Sequence, residues 1–547
     1  MAKPLSPAAR LWNLVQEEKS EITAIYFFAI LGGLIQLTLP VGIQTIIGFV
    51  LGGTLSASLM VLITILVLAV LFTGIIQVNQ MKVIEKIQQR IFVRYSFAFA
   101  DRIPKLDLKK VDGFYLPELV NRFFDTVSLQ KGFAKLLLDL PLAIIQIFFG
   151  LTLLSFYHPF FILFGLLILV LLWLILRTTG NKGLQSSLAE SSYKYALVGW
   201  FEEMARLVKS FKFSNADLHL IKADEKTGNY LQARTEHFKV LEFQFKVIVA
   251  FKVLITAAML VGGVVLLLNQ QINIGQFVAA EIIIITIIAS IEKIITNLDS
   301  VYDVMTAVEK ISKLIDKPLE KGGNYQLESS LPIAISAEGL RFAYDKKPVV
   351  ADLNFSINPG EKVCIKGRAG VGKSTMLRLL TGVYKDFEGH LLINKIPIAN
   401  YDLASLRERM GILFQHENIF HGTLWENLTM GKPGTDKVLI NDLCERTGLQ
   451  SFLSNQPNGY DTELDPTGKR LPRSVVQKIL LVRALAHKPS LLIMEEPWQG
   501  IEEEYRHSIQ ELILNASNTT VIVATTDESF SEKCNQIIHL EIQKSAA

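Results

Sequence analysis

With 547 residues, half of them hydrophobic, and a mean hydropathy of +0.34, the chain has room for several domains and is too apolar for an ordinary soluble protein. Its 55 Lys and Arg against 52 Asp and Glu leave a net charge of +3, which gives no ground for a nucleic-acid partner. The three cysteines, Cys364, Cys444 and Cys534, are too far apart for a disulfide framework or a metal site and suit a reducing compartment.

The first residues are polar and the first apolar run is long enough to stay in a membrane, so no cleavable signal peptide is expected. Leu5, Ala8, Leu11, Trp12 and Val15 recur at helical spacing, which predicts a short amphipathic helix either on the membrane surface or packed on protein. Six apolar segments follow, near 22–47, 56–78, 136–156, 160–176, 245–268 and 274–295, each roughly long enough for a bilayer core of about 30 Å. The connections at 51–58, 158–159 and 269–273 are short and uncharged, whereas those at 79–135 and 177–244 are long and rich in Lys and Arg. That asymmetry predicts both termini and both long connections on the cytoplasmic side. The long connections read as helices continuing out of the membrane, with turns expected at 111–123 and 195–203 that could dock on a nucleotide domain. Glu281 lies amid Ala279, Ala280, Ile282 and Ile283, as a candidate pathway residue or an interfacial carboxylate. Gln36 and Gln44, flanking Pro40, are weaker signals of the same kind.

Residues 319–332 hold Pro, Gly-Gly and Ser-Ser and read as a linker between a helical region, 1–318, and a mixed α/β region, 333–547. In the second region, Gly367-Arg368-Ala369-Gly370-Val371-Gly372-Lys373-Ser374 follows an apolar, β-branched strand and opens a helix at Thr375. Strand, glycine-rich turn and helix form the context in which backbone N–H groups and a helix N-terminus hold phosphate oxygens. Lys373 can then reach the outer phosphates, and the Ser374 hydroxyl can sit on Mg²⁺. A buried strand at 490–494 ends in Glu495-Glu496, where a metal and an attacking water would be held. Gln415, after the strand 411–414, is placed to contact either. Tyr344 is an aromatic that could stack on adenine or simply edge a strand.

These residues, with six spans ahead of them, resemble the ATP-binding cassette (ABC) exporter family in its half-transporter form. The resemblance covers nearly the whole chain and includes the stretches at 273–278, 307–318 and 420–428. It implies a six-helix membrane domain followed by an α/β P-loop nucleotide-binding domain that works as a head-to-tail dimer. It makes Tyr344 the adenine-stacking aromatic, Gly367 to Ser374 the Walker A loop, Gln415 the Q-loop and Glu496 the general base, with ATP and Mg²⁺ as cofactors. Ser374, Gln415 and Glu495 are then the metal-binding set.

The departures are specific. Where the family carries LSGGQ, this chain has Leu471-Pro472-Arg473-Ser474-Val475. Pro472 lacks an N–H, and Arg473 and Ser474 replace the glycines that permit close backbone approach. Arg473 could instead offer its guanidinium to a phosphate. The Walker B aspartate is Glu495, the switch histidine is Thr526, and the loop 498–502 lacks the family's small residues and Asp. The expectation is an exporter half-transporter in a bacterial inner membrane that pairs with a second half, identical or different, amid lipid. It would bind ATP and move an unidentified substrate outward, with hydrolysis slow or partner-dependent. The alternative is an ATP-binding, hydrolysis-poor membrane scaffold or regulatory subunit. Whether the chain is an enzyme is left open by these motifs.

Overall fold

The computed structural model describes residues 5–53, 57–113, 115–214, 216–327, 331–344, 347–415, 417–465 and 471–541. Residues 468–470, which precede the altered signature, and part of the connection 51–58 lie outside them. The chain divides into two compact units, one of residues 1–105 and 113–317, the other of 106–112 and 318–547.

The first unit is helical. Six helical segments are long and apolar enough to cross a membrane: Lys19–Leu51, Ala57–Lys105, Leu116–Tyr157, Phe160–Arg206, Leu218–Leu268 and Ile274–Ile315. Only 17% of the apolar window in Ala57–Lys105, and no more than 50% in any of the six, is buried within the protein. The outward Leu, Ile and Val faces therefore need a non-aqueous solvent, and the chain is an integral, multi-pass membrane protein. Leu218–Leu268 has 51 residues, about 75 Å of helix, well beyond the bilayer core. The extra length is the expected continuation outside the membrane.

The N-terminal helix Pro7–Glu17 starts at Ser6, whose hydroxyl accepts from the Ala9 N–H. It packs on protein through buried Leu14 and through Arg10, paired with Asp316 at 2.5 Å and Glu309 at 3.4 Å, while Trp12 points outward. Between the long helices, Gln146 donates to Gln36 (2.6 Å) and accepts from Ser290 (2.7 Å), and Tyr157 donates to Gln44 (2.6 Å). Glu281 is half-buried, with one carboxylate oxygen lacking a hydrogen-bond partner.

One expected turn is misplaced. Residues 195–203 lie inside the unbroken helix Phe160–Arg206, and the chain turns after it, through Leu207 and the short helix Val208–Lys212. Gly199 alone costs only about 1 kcal/mol, and burial of Tyr195 and Trp200 carries the helix through it.

In the second unit a five-stranded parallel sheet runs in the order Gln536–His539, Lys362–Lys366, Thr520–Ala524, Leu491–Glu495, Met410–Leu413. Its central strands are buried on both faces, which explains their continuous apolar sequence. A four-stranded antiparallel sheet, Lys347–Ile357, Ile335–Tyr344, Glu388–Ile393 and Ile396–Pro397, accompanies it. The helix Arg473–Leu485 crosses Met410–Leu413 so closely that a Cβ on Gly411 would stand 2.1 Å from the Ala484 carbonyl oxygen. Gly411→Ala is therefore expected to destabilise this unit by about 1–3 kcal/mol, read as a lower thermal midpoint.

The stretch 319–327 is not a free tether. Arg407 grips Glu320 with two bonds of 2.6 and 2.8 Å, and the Gly323 N–H donates to the Tyr401 carbonyl at 2.7 Å. Leu106–Asp112, from the first long connection, also belongs to this unit. Lys109 donates to the Asp386 carbonyl (3.1 Å) and lies 4.8 Å over the Phe342 ring, and Tyr384 donates to Asp112 (3.1 Å).

Candidate functional site

The strand Lys362–Lys366 delivers the chain to the glycine-rich turn, and the helix Lys373–Leu380 leaves it. Gly370 and Gly372 have φ of +80° and +103°, a left-handed region that L side chains rarely adopt. A Cβ on Gly372 would also meet the Val349 carbonyl oxygen at 2.9 Å. The turn is thus a cradle that only this glycine pattern permits. Lys373 folds over it, donating to the carbonyls of Gly367 (2.6 Å) and Arg368 (3.1 Å). Its ammonium therefore stands at the mouth of the loop.

Two strand ends meet this loop. Glu495, the last residue of Leu491–Glu495, is buried and accepts from the Ser374 hydroxyl and from the Gln415 N–H (3.2 Å). Glu496 follows at φ +42°, an uncommon conformation for a residue other than glycine. Its own N–H bonds back to the Ala524 carbonyl (2.9 Å). The turn swings its carboxylate to the end of the neighbouring strand. There it accepts from the Thr525 hydroxyl (2.9 Å) and the Thr526 N–H (3.1 Å). Adjacent carboxylates are thereby sent different ways: Glu495 toward the Ser374 hydroxyl, Glu496 toward Thr525 and Thr526.

A cavity of about 1110 Å³ joins them. Ala369, Gly370, Gly372, Lys373, Ser374 and Thr375 line it with Gln415, Glu495, Glu496 and Thr526. Gly367, Arg368 and Val371 shape the loop from behind, Val371 buried. Tyr344 does not line the cavity. Its ring packs edge-on against Phe342 (5.1 Å) and Tyr384 (5.7 Å), and its hydroxyl lies 3.4 Å from that of Thr375. Arg473 and Ser474 also lie apart, opening the helix Arg473–Leu485 behind Pro472, with no side chain capping it.

Sequence reasoning missed Arg506 and His507, which line the same cavity from the helix Glu503–Leu514. Arg506 reaches Glu503 at 3.5 Å, while its buried Nε has no partner. The irregular loop after Glu496 is anchored, not loose. Trp498 is buried against Phe530, ring centroids 4.9 Å apart, and Lys478 of the signature helix pairs with Glu502 at 2.7 Å. The Lys478 hydrogen bond holds the Glu502 carboxyl below its usual range. Since the folded-state value is the lower one, whatever this pair adds to stability is present at neutral pH and lost as acid takes the pH down through it.

The residues fit a magnesium–nucleotide complex. A hydroxyl and a carboxylate that meet directly, Ser374 and Glu495, are hard oxygen donors of the kind Mg²⁺ takes, with phosphates and water completing its shell. Among the described residues no group of three or more His, Cys, Asp or Glu forms a self-sufficient metal site.

Comparison with known proteins agrees with this geometry. Residues 350–499 match the family model described as ABC transporter, and residues 22–291 the one described as ABC transporter transmembrane region. An ATP-dependent lipid A-core flippase of Burkholderia orbicola is 27% identical over 305 residues, covering 55% of this chain and 50% of that protein. The one from Coxiella burnetii is 32% identical over 225 residues, 40% of this chain and 38% of that protein. A colicin V secretion/processing ATP-binding protein of Escherichia coli is 27% identical over 266 residues, 48% of this chain and 38% of that protein. The chain spans about half or less of the length of these relatives. A bacterial Atm1-family ABC exporter, solved with ATP bound, superposes with a TM-score of 0.82 at 19% identity, over 96% of this chain and 93% of that one. That likeness concerns the fold.

Proposed function

The chain belongs to the ABC transporter family, as an exporter-type half-transporter, and on that premise we propose that it couples ATP binding to the outward movement of a substrate across a bacterial inner membrane. The observation that carries the reading is the convergence of Lys373, Ser374, Glu495 and Glu496 on one cavity, in a chain that also supplies six membrane-length helices. Both termini would be cytoplasmic, by the charge bias of the connections.

In this reading the loop amides and Lys373 hold the phosphates, Ser374, Gln415 and Glu495 hold Mg²⁺, and Tyr344 stacks on the base. When bound, the metal supplies charge neutralisation across the outer phosphates. Glu496, steadied by Thr525 and Thr526, is aimed to take a proton from water. Lys373→Ala is expected to weaken nucleotide affinity by ~10–100-fold, the cost of losing charge-assisted hydrogen bonds to phosphate. Titration of the purified chain with a fluorescent ATP analogue measures it. Unchanged affinity would remove the proposal's foundation.

Two copies, or this chain and a different half, would bring Arg473 and Ser474 of one to the phosphate loop of the other. A homodimer then carries both defects, altered signature and missing switch histidine, in both sites. Binding is better preserved than turnover in such a pair. Pro472 opening the signature helix without an N–H favours the second reading, a nucleotide-responsive scaffold or regulatory subunit. The relatives' printed names leave a lipid A-core and a colicin as substrate types to test.

A further inference from the structure

We propose that the helical unit holds a second anion site, built for a phosphate-bearing ligand and separate from the nucleotide cavity. A pocket of about 550 Å³ lies among the helices Leu116–Asn121, Phe160–Arg206, Leu218–Leu268 and Leu298–Ile315. Six cations line it: Arg122, Arg206, Lys222, Lys226, Lys310 and Lys313. Two lining carboxylates, Glu118 and Glu203, answer them. Arg122 bonds to Glu118 at 2.7 Å, and Glu203 lies 4.0 Å from Arg206. Among the described residues, Lys222, Lys226, Lys310 and Lys313 form no ion pair. Beyond the lining, Asp125 is engaged by Tyr195 (2.7 Å) and Lys194 (3.8 Å), Glu309 lies 3.4 Å from Arg10, and Glu202 is left with one buried carboxylate oxygen without a hydrogen-bond partner, so the cations still outnumber the carboxylates.

Burial makes this more than a basic surface. Arg122 is 8% exposed, yet its Nε and Nη1 have no hydrogen-bond partner. Lys310 is 2% exposed, its ammonium donating to the Ser192 hydroxyl (2.8 Å) and lying 5.7 Å over the Tyr195 ring. A buried guanidinium with two idle donors is costly unless something accepts from them. With Nη2 held by Glu118, the remaining N–H donors suit single bonds to phosphate oxygens, and clustered ammonium groups suit more than one negative charge. Excess cations, idle donors and room for a small molecule together define the ligand: a small multivalent phosphate anion, free or as a lipid headgroup. Charge bias assigns these connections to the cytoplasm, where either source is at hand. The inference does not depend on the nucleotide reading.

Calorimetric titration of the full-length chain with sodium pyrophosphate tests it, in four versions: unaltered, Lys373→Ala, Arg122→Gln and Lys313→Gln. Binding is expected to survive Lys373→Ala and to weaken ~10-fold or more in Arg122→Gln and several-fold in Lys313→Gln. Lys313 is exposed, so its variant carries the test if Arg122→Gln fails to fold. A second arm repeats the titration in phosphatidylcholine vesicles with and without phosphatidic acid. If phosphatidic acid blocks pyrophosphate, the site takes a lipid headgroup; if it does not, a free anion. Pyrophosphate binding that disappears with Lys373→Ala alone, or that ignores both Arg122→Gln and Lys313→Gln, overturns the proposal. So does the lack of any binding.

Discussion

Glu496→Gln is expected to lower steady-state ATP turnover of the purified chain by ~10²-fold or more, with nucleotide affinity nearly unchanged. The reason is positional. The φ of +42° at Glu496 and the two bonds from Thr525 and Thr526 aim one carboxylate away from the Ser374 hydroxyl that engages its neighbour Glu495. Glutamine keeps the size and much of the hydrogen bonding but cannot accept a proton from water. Equal rates for the two chains would show that no chemistry passes through Glu496 and would favour the scaffold reading.

Repairing the signature is expected to act in the opposite direction. A chain carrying Pro472→Ser, Arg473→Gly, Ser474→Gly and Val475→Gln, together with Thr526→His, should turn over ATP ~10²-fold faster than the unaltered chain. One well-placed transition-state donor is worth about 10²–10³ in rate. Pro472 withholds an N–H at the helix start, and Thr526 supplies a hydroxyl where a cation would serve better. The repaired chain and the original should bind the ATP analogue with similar affinity. If turnover does not rise, the altered positions are not what limits it.

The glycine-rich loop was legible because its requirements are local: three closely spaced glycines, one lysine and the change from strand to helix all lie within a dozen residues. The membrane helices were legible for a similar reason, since length and apolarity are properties of single segments. Features that need distant parts of the chain were not. Arg506 and His507 sit on an ordinary amphipathic helix, and only the parallel sheet order brings them to the cavity. The packing of Tyr344 against Tyr384 was hidden for the same reason, since the two are 40 positions apart in sequence. The turn expected at 195–203 failed because mixed polarity there reflects an alternation of buried and exposed helix faces, Tyr195 and Trp200 buried, not a break. The cationic pocket draws on segments between residues 115 and 313, and no window of sequence displays it.

The seven residues Leu106–Asp112 have a practical bearing on how this protein is cut. Leu106 is 2% exposed and pairs with Leu319, while Lys109 and Asp112 cover the ring of Phe342 and the hydroxyl of Tyr384. A soluble fragment started at Pro318 for biochemistry would be made without that patch. Its cut face would offer bare aromatic surface to other molecules, and it should clump and melt sooner than the same residues in the intact polypeptide.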